Sequence, residues 1–112
     1  KTIFSGLSVF RTDNRGGYSG NMVADCGVLK FEIGKHTAML DDVVEVQRLA
    51  IDKFIAPYYN GCLGIDMLCD EAGRVNACVE VNLRHTMGFA AMSLYRLIRR
   101  EMTFNPMTFN GL

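Results

Sequence analysis

Hydrophobic and polar positions along this chain change their spacing several times, and each change marks an element. Ile3 to Phe10 carries β-branched and aromatic residues and predicts a strand. The polar, glycine-rich stretch from Arg11 to Gly20 then predicts a mobile loop or a hairpin. Within Met22 to Ile33, the residues Val28, Phe31 and Ile33 suggest a short strand, interrupted by Gly27 and Gly34. From Asp41 the spacing becomes helical: Val43, Val46, Leu49, Ala50 and Phe54 recur at steps of three and four, with charged residues mostly between them. Asp41 or Asp42 would cap this helix, and Pro57 followed by Tyr-Tyr-Asn-Gly would end it.

Cys62 to Cys69 and Val75 to Leu83 read as two strands joined by Asp70-Glu71-Ala72-Gly73-Arg74, which predicts a β-hairpin. Met87, Ala90, Ala91, Leu94, Leu97 and Ile98 return to helical spacing, and Arg96, Arg99 and Arg100 favour the negative end of that helix. The tail from Thr103 to Leu112 reads as irregular. These elements predict a single α+β domain over residues 1–112, a mainly antiparallel sheet with two helices packed on one face.

The hairpin carries the chemistry. Successive strand residues point to opposite faces, so Leu63, Ile65, Met67 and Cys69 form one apolar row, matched by Val75, Ala77, Val79 and Val81 on the second strand. With both apolar rows facing the helices, the parity of the register follows: Asp66 must share the other face with Glu80, Asn82 and Arg84, directly opposite or diagonal to Glu80. Like charges so placed repel, and a cation between them would relieve the repulsion. Two carboxylates and an amide oxygen are hard donors that suit Mg²⁺ or Mn²⁺ better than zinc, and Arg84 could meet phosphate oxygens. The N-terminal N–H groups of the helix after Thr86-Met87-Gly88 could face an anion as well. The ordinary alternative is that this face is simply the solvated side of a hairpin. Against it stand the apolar neighbours of Asp66 and the valines around Glu80 and Asn82, a costly setting for charge without a partner.

Composition narrows the partners. Twelve basic residues balance twelve acidic ones, which excludes a broad positive field for nucleic acid or an anionic membrane. No apolar run approaches the roughly 20 residues of a membrane span, and the cytoplasm is the expected compartment. Cys26, Cys62, Cys69 and Cys78 lack a CxxC pair and read as structural thiols, the last three inside apolar strand-like runs. His85 and His36 read as structural or loop histidines, and Met87, Met92, Met102 and Met107 as packing residues. Arg11, Arg15 and the loop Gly16-Gly17-Tyr18-Ser19-Gly20 read first as a plain hairpin loop and second as a lid over a substrate. The chain opens on Lys1 inside a strand-like pattern, and reads as a piece of a longer protein.

Gly64-Ile65-Asp66-Met67, Val79-Glu80-Val81-Asn82-Leu83-Arg84 and Thr86-Met87-Gly88 together resemble the C-terminal metal-binding segment of ATP-grasp ligases. The resemblance covers roughly residues 60 to 100. It implies that Asp66, Glu80 and Asn82 hold Mg²⁺ (or Mn²⁺) between the phosphates of ATP, with Arg84 assisting catalysis. It further implies an acylphosphate intermediate joining a small carboxylate to an amine or thiol. Many relatives carry a basic residue two positions before the aspartate, where this chain has Gly64. The subdomain that supplies the phosphate-binding lysines and much of the adenine pocket has no counterpart in these 112 residues, so the segment alone is expected to be inactive and could pair as a homodimer. The competing expectation is a non-enzymatic regulatory or assembly module that keeps the sheet and binds no nucleotide.

Overall fold

The computed structural model describes residues 1–99 and 107–109. Among them the chain is α+β, with three helices and two small antiparallel sheets. It gathers into two compact units, one of Lys1–Ser5 with Ile33–His85, the other of Gly6–Glu32 with the segment from Thr86 onward.

In the first unit, α2 (Leu40–Phe54) lies against a hairpin of β3 (Gly64–Cys69) and β4 (Val75–Asn82). The turn between the strands is built by Asp70. Its backbone N–H donates to the Arg74 carbonyl (2.9 Å), its carbonyl accepts from Gly73 N–H (3.0 Å), and its Oδ1 accepts from the N–H groups of Ala72 and Arg74 (2.9 Å each). Gly73 sits at φ +81°, where a Cβ would be strained. The buried stripe of α2 is Leu40, Val43 and Ile51, spaced to face one way. The predicted stripe is therefore rotated: Val43 is buried, but Val46, Leu49 and Phe54 face outward. The predicted cap is also different. Met39 occupies the N-cap with no side-chain bond, while Asp41 and Asp42 stand in the first turn, where they complement the helix dipole. The chain leaves the helix at Ile55, as the proline beyond it requires.

In the second unit, β2 (Tyr18–Val23) lies between β1 (Phe10–Thr12) and β5 (Met107–Phe109), antiparallel to both. The β1–β2 turn repeats the chemistry of the other hairpin. Asp13 Oδ1 accepts from Arg15 N–H (2.9 Å) and Gly17 N–H (2.8 Å), and Gly16 takes φ +81°. The glycine-rich stretch is thus a hairpin turn fixed by one aspartate. Of the expected strand Ile3–Phe10 only Phe10 lies in a strand: the Val9 carbonyl still accepts from Met22 N–H of β2 at 2.8 Å, but the Ile3 and Phe4 side chains are exposed.

The expected strand near Val28 is instead α1 (Cys26–Gly34). Asp25 decides this: its Oδ1 accepts from Val28 N–H (2.8 Å) and its carbonyl from Leu29 N–H (3.1 Å), which nucleates a helical turn. Leu29 and Ile33, four apart, then fall on one buried face while Phe31 points out. Helix α3 (Met87–Ile98) begins at the N-cap Thr86, whose Oγ1 accepts from Phe89 N–H at 3.3 Å. It packs against β2, so the expectation of two helices on one face of one sheet is corrected: each sheet has its own helix. The close approach of Ser8 to Gly88 depends on a missing Cβ, since one placed there would lie 2.7 Å from Ser8 Cβ.

The strand Met107–Phe109 corrects the expectation of an irregular tail at those three positions; the rest of that tail, with Arg100 and Met102, lies outside the described residues.

Candidate functional site

The β3–β4 register brings the two predicted carboxylates together. Asp66 pairs directly with Glu80, Ile65 with Val81, and Gly64 with Asn82. Directly opposed side chains have Cβ atoms about 4.5–5.5 Å apart, close enough for both carboxylates to reach one cation. A shift between Asp66 and Leu68 places Leu68 against Asn76 and Cys69 against Val75. Between the paired positions Met67 alone faces three residues, Ala77 to Val79, so two extra residues enter β4 and the parity of the faces survives the irregularity. Asp66, Glu80 and Asn82 therefore stay on one face, while Arg84 lies beyond the end of the strand.

Asn82 is two residues beyond Glu80 on that face, opposite a glycine that carries no side chain. Its Oδ1 accepts from Arg84 Nη2 at 3.3 Å, while Arg84 Nη1 donates to the His85 carbonyl at 3.3 Å. Arg84 lies past the end of β4 and is exposed, and its guanidinium, with five N–H donors, braces Asn82 through one of them. Asp66 is half-buried and Glu80 exposed.

The expected burial of the apolar rows is only partial. Ile65, Met67, Val75 and Ala77 are half-buried, but Val79 is 56% exposed and Val81 37%. One helix covers a two-stranded hairpin incompletely, which is the physical reason. Gln47 anchors that cover: its Nε2 donates to the Ala77 carbonyl at 2.6 Å, tying α2 to β4. Sequence reasoning missed Gln47, although its signal was present as a polar residue on the same stripe as Leu40, Val43 and Ile51.

Arg74 Nε donates to Asp70 Oδ2 at 2.7 Å at the far end of the hairpin. The Arg74 and Ala72 N–H groups with this guanidinium hold the Asp70 carboxyl below its usual range.

Other candidates resolve into structure. The expected anion-facing end of α3 has its Phe89 N–H taken by Thr86. His36 and His85 are exposed positions outside helices and strands. All four cysteines are thiols; Cys62 and Cys69 are half-buried, while Cys26 and Cys78 are exposed, so Cys78 does not pack as expected of a strand core. Met87 and Met92 are half-buried, and the Met92 terminus fills the space over Gly6.

Among the described residues, no three or more His, Cys, Asp or Glu side chains gather to hold a metal, so a cation at the hairpin would rely on two carboxylates and the Asn82 amide. Hard oxygen donors of that kind fit Mg²⁺ or Mn²⁺, which keep open positions for water and phosphate. Among the described residues no helix is long and apolar enough to cross a membrane. No protein-family model matches the chain, and no curated protein or solved structure matches it significantly.

Proposed function

We propose that this chain is the metal- and phosphate-binding portion of an ATP-grasp ligase that joins a small carboxylate to an amine or thiol. The observation that carries this reading is the direct pairing of Asp66 with Glu80, with Asn82 next along the same face. Asp66, Glu80 and Asn82 would hold Mg²⁺ or Mn²⁺. The cation, when bound, supplies charge neutralisation for the transferring phosphoryl group. Arg84 holds the Asn82 amide oxygen in place and presents its remaining N–H groups to phosphate oxygens. The work of these residues is positioning and electrostatics, as phosphoryl transfer requires.

The exposure of Glu80 favours a second reading, a regulatory or assembly module that binds no nucleotide. Paramagnetic line broadening by Mn²⁺ separates the two. Under the ligase reading, amide signals around Asp66, Glu80 and Asn82 broaden first, and Asp66→Asn removes the effect. Broadening that appears only elsewhere, or survives that substitution unchanged, supports the module. In the intact enzyme, Glu80→Gln should abolish Mg-ATP turnover, and near-normal rates would refute its role.

A further inference from the structure

Helix α2 has two apolar faces, and only one is used within its unit. Leu40, Val43 and Ile51 point inward with Gln47, which is bonded to the hairpin. On the opposite side, Asp42, Val46, Leu49 and Lys53 follow one another at steps of four, three and four, which at 100° per residue keeps them within one narrow stripe. Val46 is 61% exposed and Leu49 54%. Both charged ends of the stripe are exposed too.

The order of this stripe is acidic, apolar, apolar, basic, and it reads as its own complement when reversed. A two-fold axis crossing the helix between Val46 and Leu49 would set Asp42 against Lys53 of a second copy and Val46 against its Leu49, twice over. Parallel pairing, by contrast, would stack like charges at both ends. Met39, half-exposed at the N-cap, adds apolar surface at one end of the stripe.

We propose that the outward face of α2 is a self-pairing surface, on which a second copy of this chain docks antiparallel through the Asp42–Val46–Leu49–Lys53 stripe. The inference is independent of the ligase reading. Two helices of about 22 Å laid side by side cover less than the roughly 1,000 Å² expected of a permanent interface, so the dimer should form and dissociate with concentration.

Sedimentation of the chain from about 1 µM to 1 mM tests this, a span that covers weak association. The expected result is a concentration-dependent dimer. Leu49→Glu, at a position exposed in its own unit, should leave the far-UV circular dichroism spectrum unchanged and weaken association by about a hundredfold or more, since it puts two charges into the apolar centre. Zero-length carbodiimide coupling of mixed isotope-labelled and unlabelled chains should yield an inter-chain Asp42–Lys53 peptide. Within one helix those residues are about 16 Å apart, too far for such a bond. A monomer throughout, a dimer indifferent to a folded Leu49→Glu variant, or a dimer that never couples Asp42 to Lys53 would each overturn the proposal.

Discussion

Asp70 and Asp13 do the same work in two hairpins: one carboxylate oxygen accepts two backbone N–H groups of its own turn, and the glycine three residues on takes a positive φ. Because the Asp70 pKa is lowered, its contribution to stability is present in full above the unfolded value of about 3.9 and is lost as pH falls through the lower folded value. An NMR titration of the Asp70 carboxyl carbon should therefore give a midpoint below that of an unstructured aspartate. An ordinary midpoint would contradict the bonding described for the turn. Gly88 offers a second test. Alanine there would gain about 1 kcal/mol of helix propensity, but its Cβ would meet Ser8, and overpacking of that kind costs about 1–3 kcal/mol. Gly88→Ala should lower the melting temperature, and adding Ser8→Gly should restore most of the loss. The hairpin turn at Asp70 was legible from Asp-x-x-Gly-x between two apolar runs; the equivalent at Asp13 was read only as a loop or hairpin, because Arg11 and Thr12 give little strand pattern before it. The Ser8–Gly88 contact was not legible, since nothing local pairs residues eighty positions apart.

Between elements, polar contacts and strand pairing set the interactions that matter most for the candidate site. Removing the Gln47 amide with Gln47→Leu should cost about 0.5–1.5 kcal/mol by leaving the Ala77 carbonyl without this donor, measured by urea unfolding. A change within experimental error would show that solvent replaces the contact. Direct opposition of Asp66 and Glu80 predicts a gain of roughly 0.2–1 kcal/mol when Glu80→Gln removes the like-charge pair in metal-free solution. That gain should vanish once Mg²⁺ neutralises the wild-type pair, if the pair binds it. The faces of this hairpin were legible because strand parity is strict and both apolar rows had to agree. Helix α1 was not, because its nine residues carry little amphipathic contrast and its start rests on the Asp25 cap rather than on periodicity. The inward face of α2 was also misjudged: with apolar residues on both sides of the helix, periodicity alone does not say which side the hairpin will cover.

For the molecule as a whole, burial is uneven. Val23 and Asn21 in β2 are almost fully enclosed, with Asn21 Oδ1 accepting from the Tyr18 hydroxyl at 2.6 Å, whereas several residues of β4 are exposed. Amide hydrogen exchange should accordingly be slowest in β2 and the inward turns of α2, and faster in the middle of β4. The reverse order would conflict with this distribution of the core. Chain-local rules were enough to determine that the protein is α+β, that a hairpin lies between Cys62 and Leu83, with its strands in fact running only from Gly64 to Asn82, and that Asp66, Glu80 and Asn82 share one of its faces. Those features depend on alternation, turn chemistry and helical spacing, all of which act over a few residues. Tertiary structure alone decided that there are two small sheets with a helix apiece, that Asp66 meets Glu80 directly, and that α2 keeps an apolar stripe outside. Such outcomes depend on which distant segments compete for the same surface, and that competition is settled by packing rather than by any stretch of sequence.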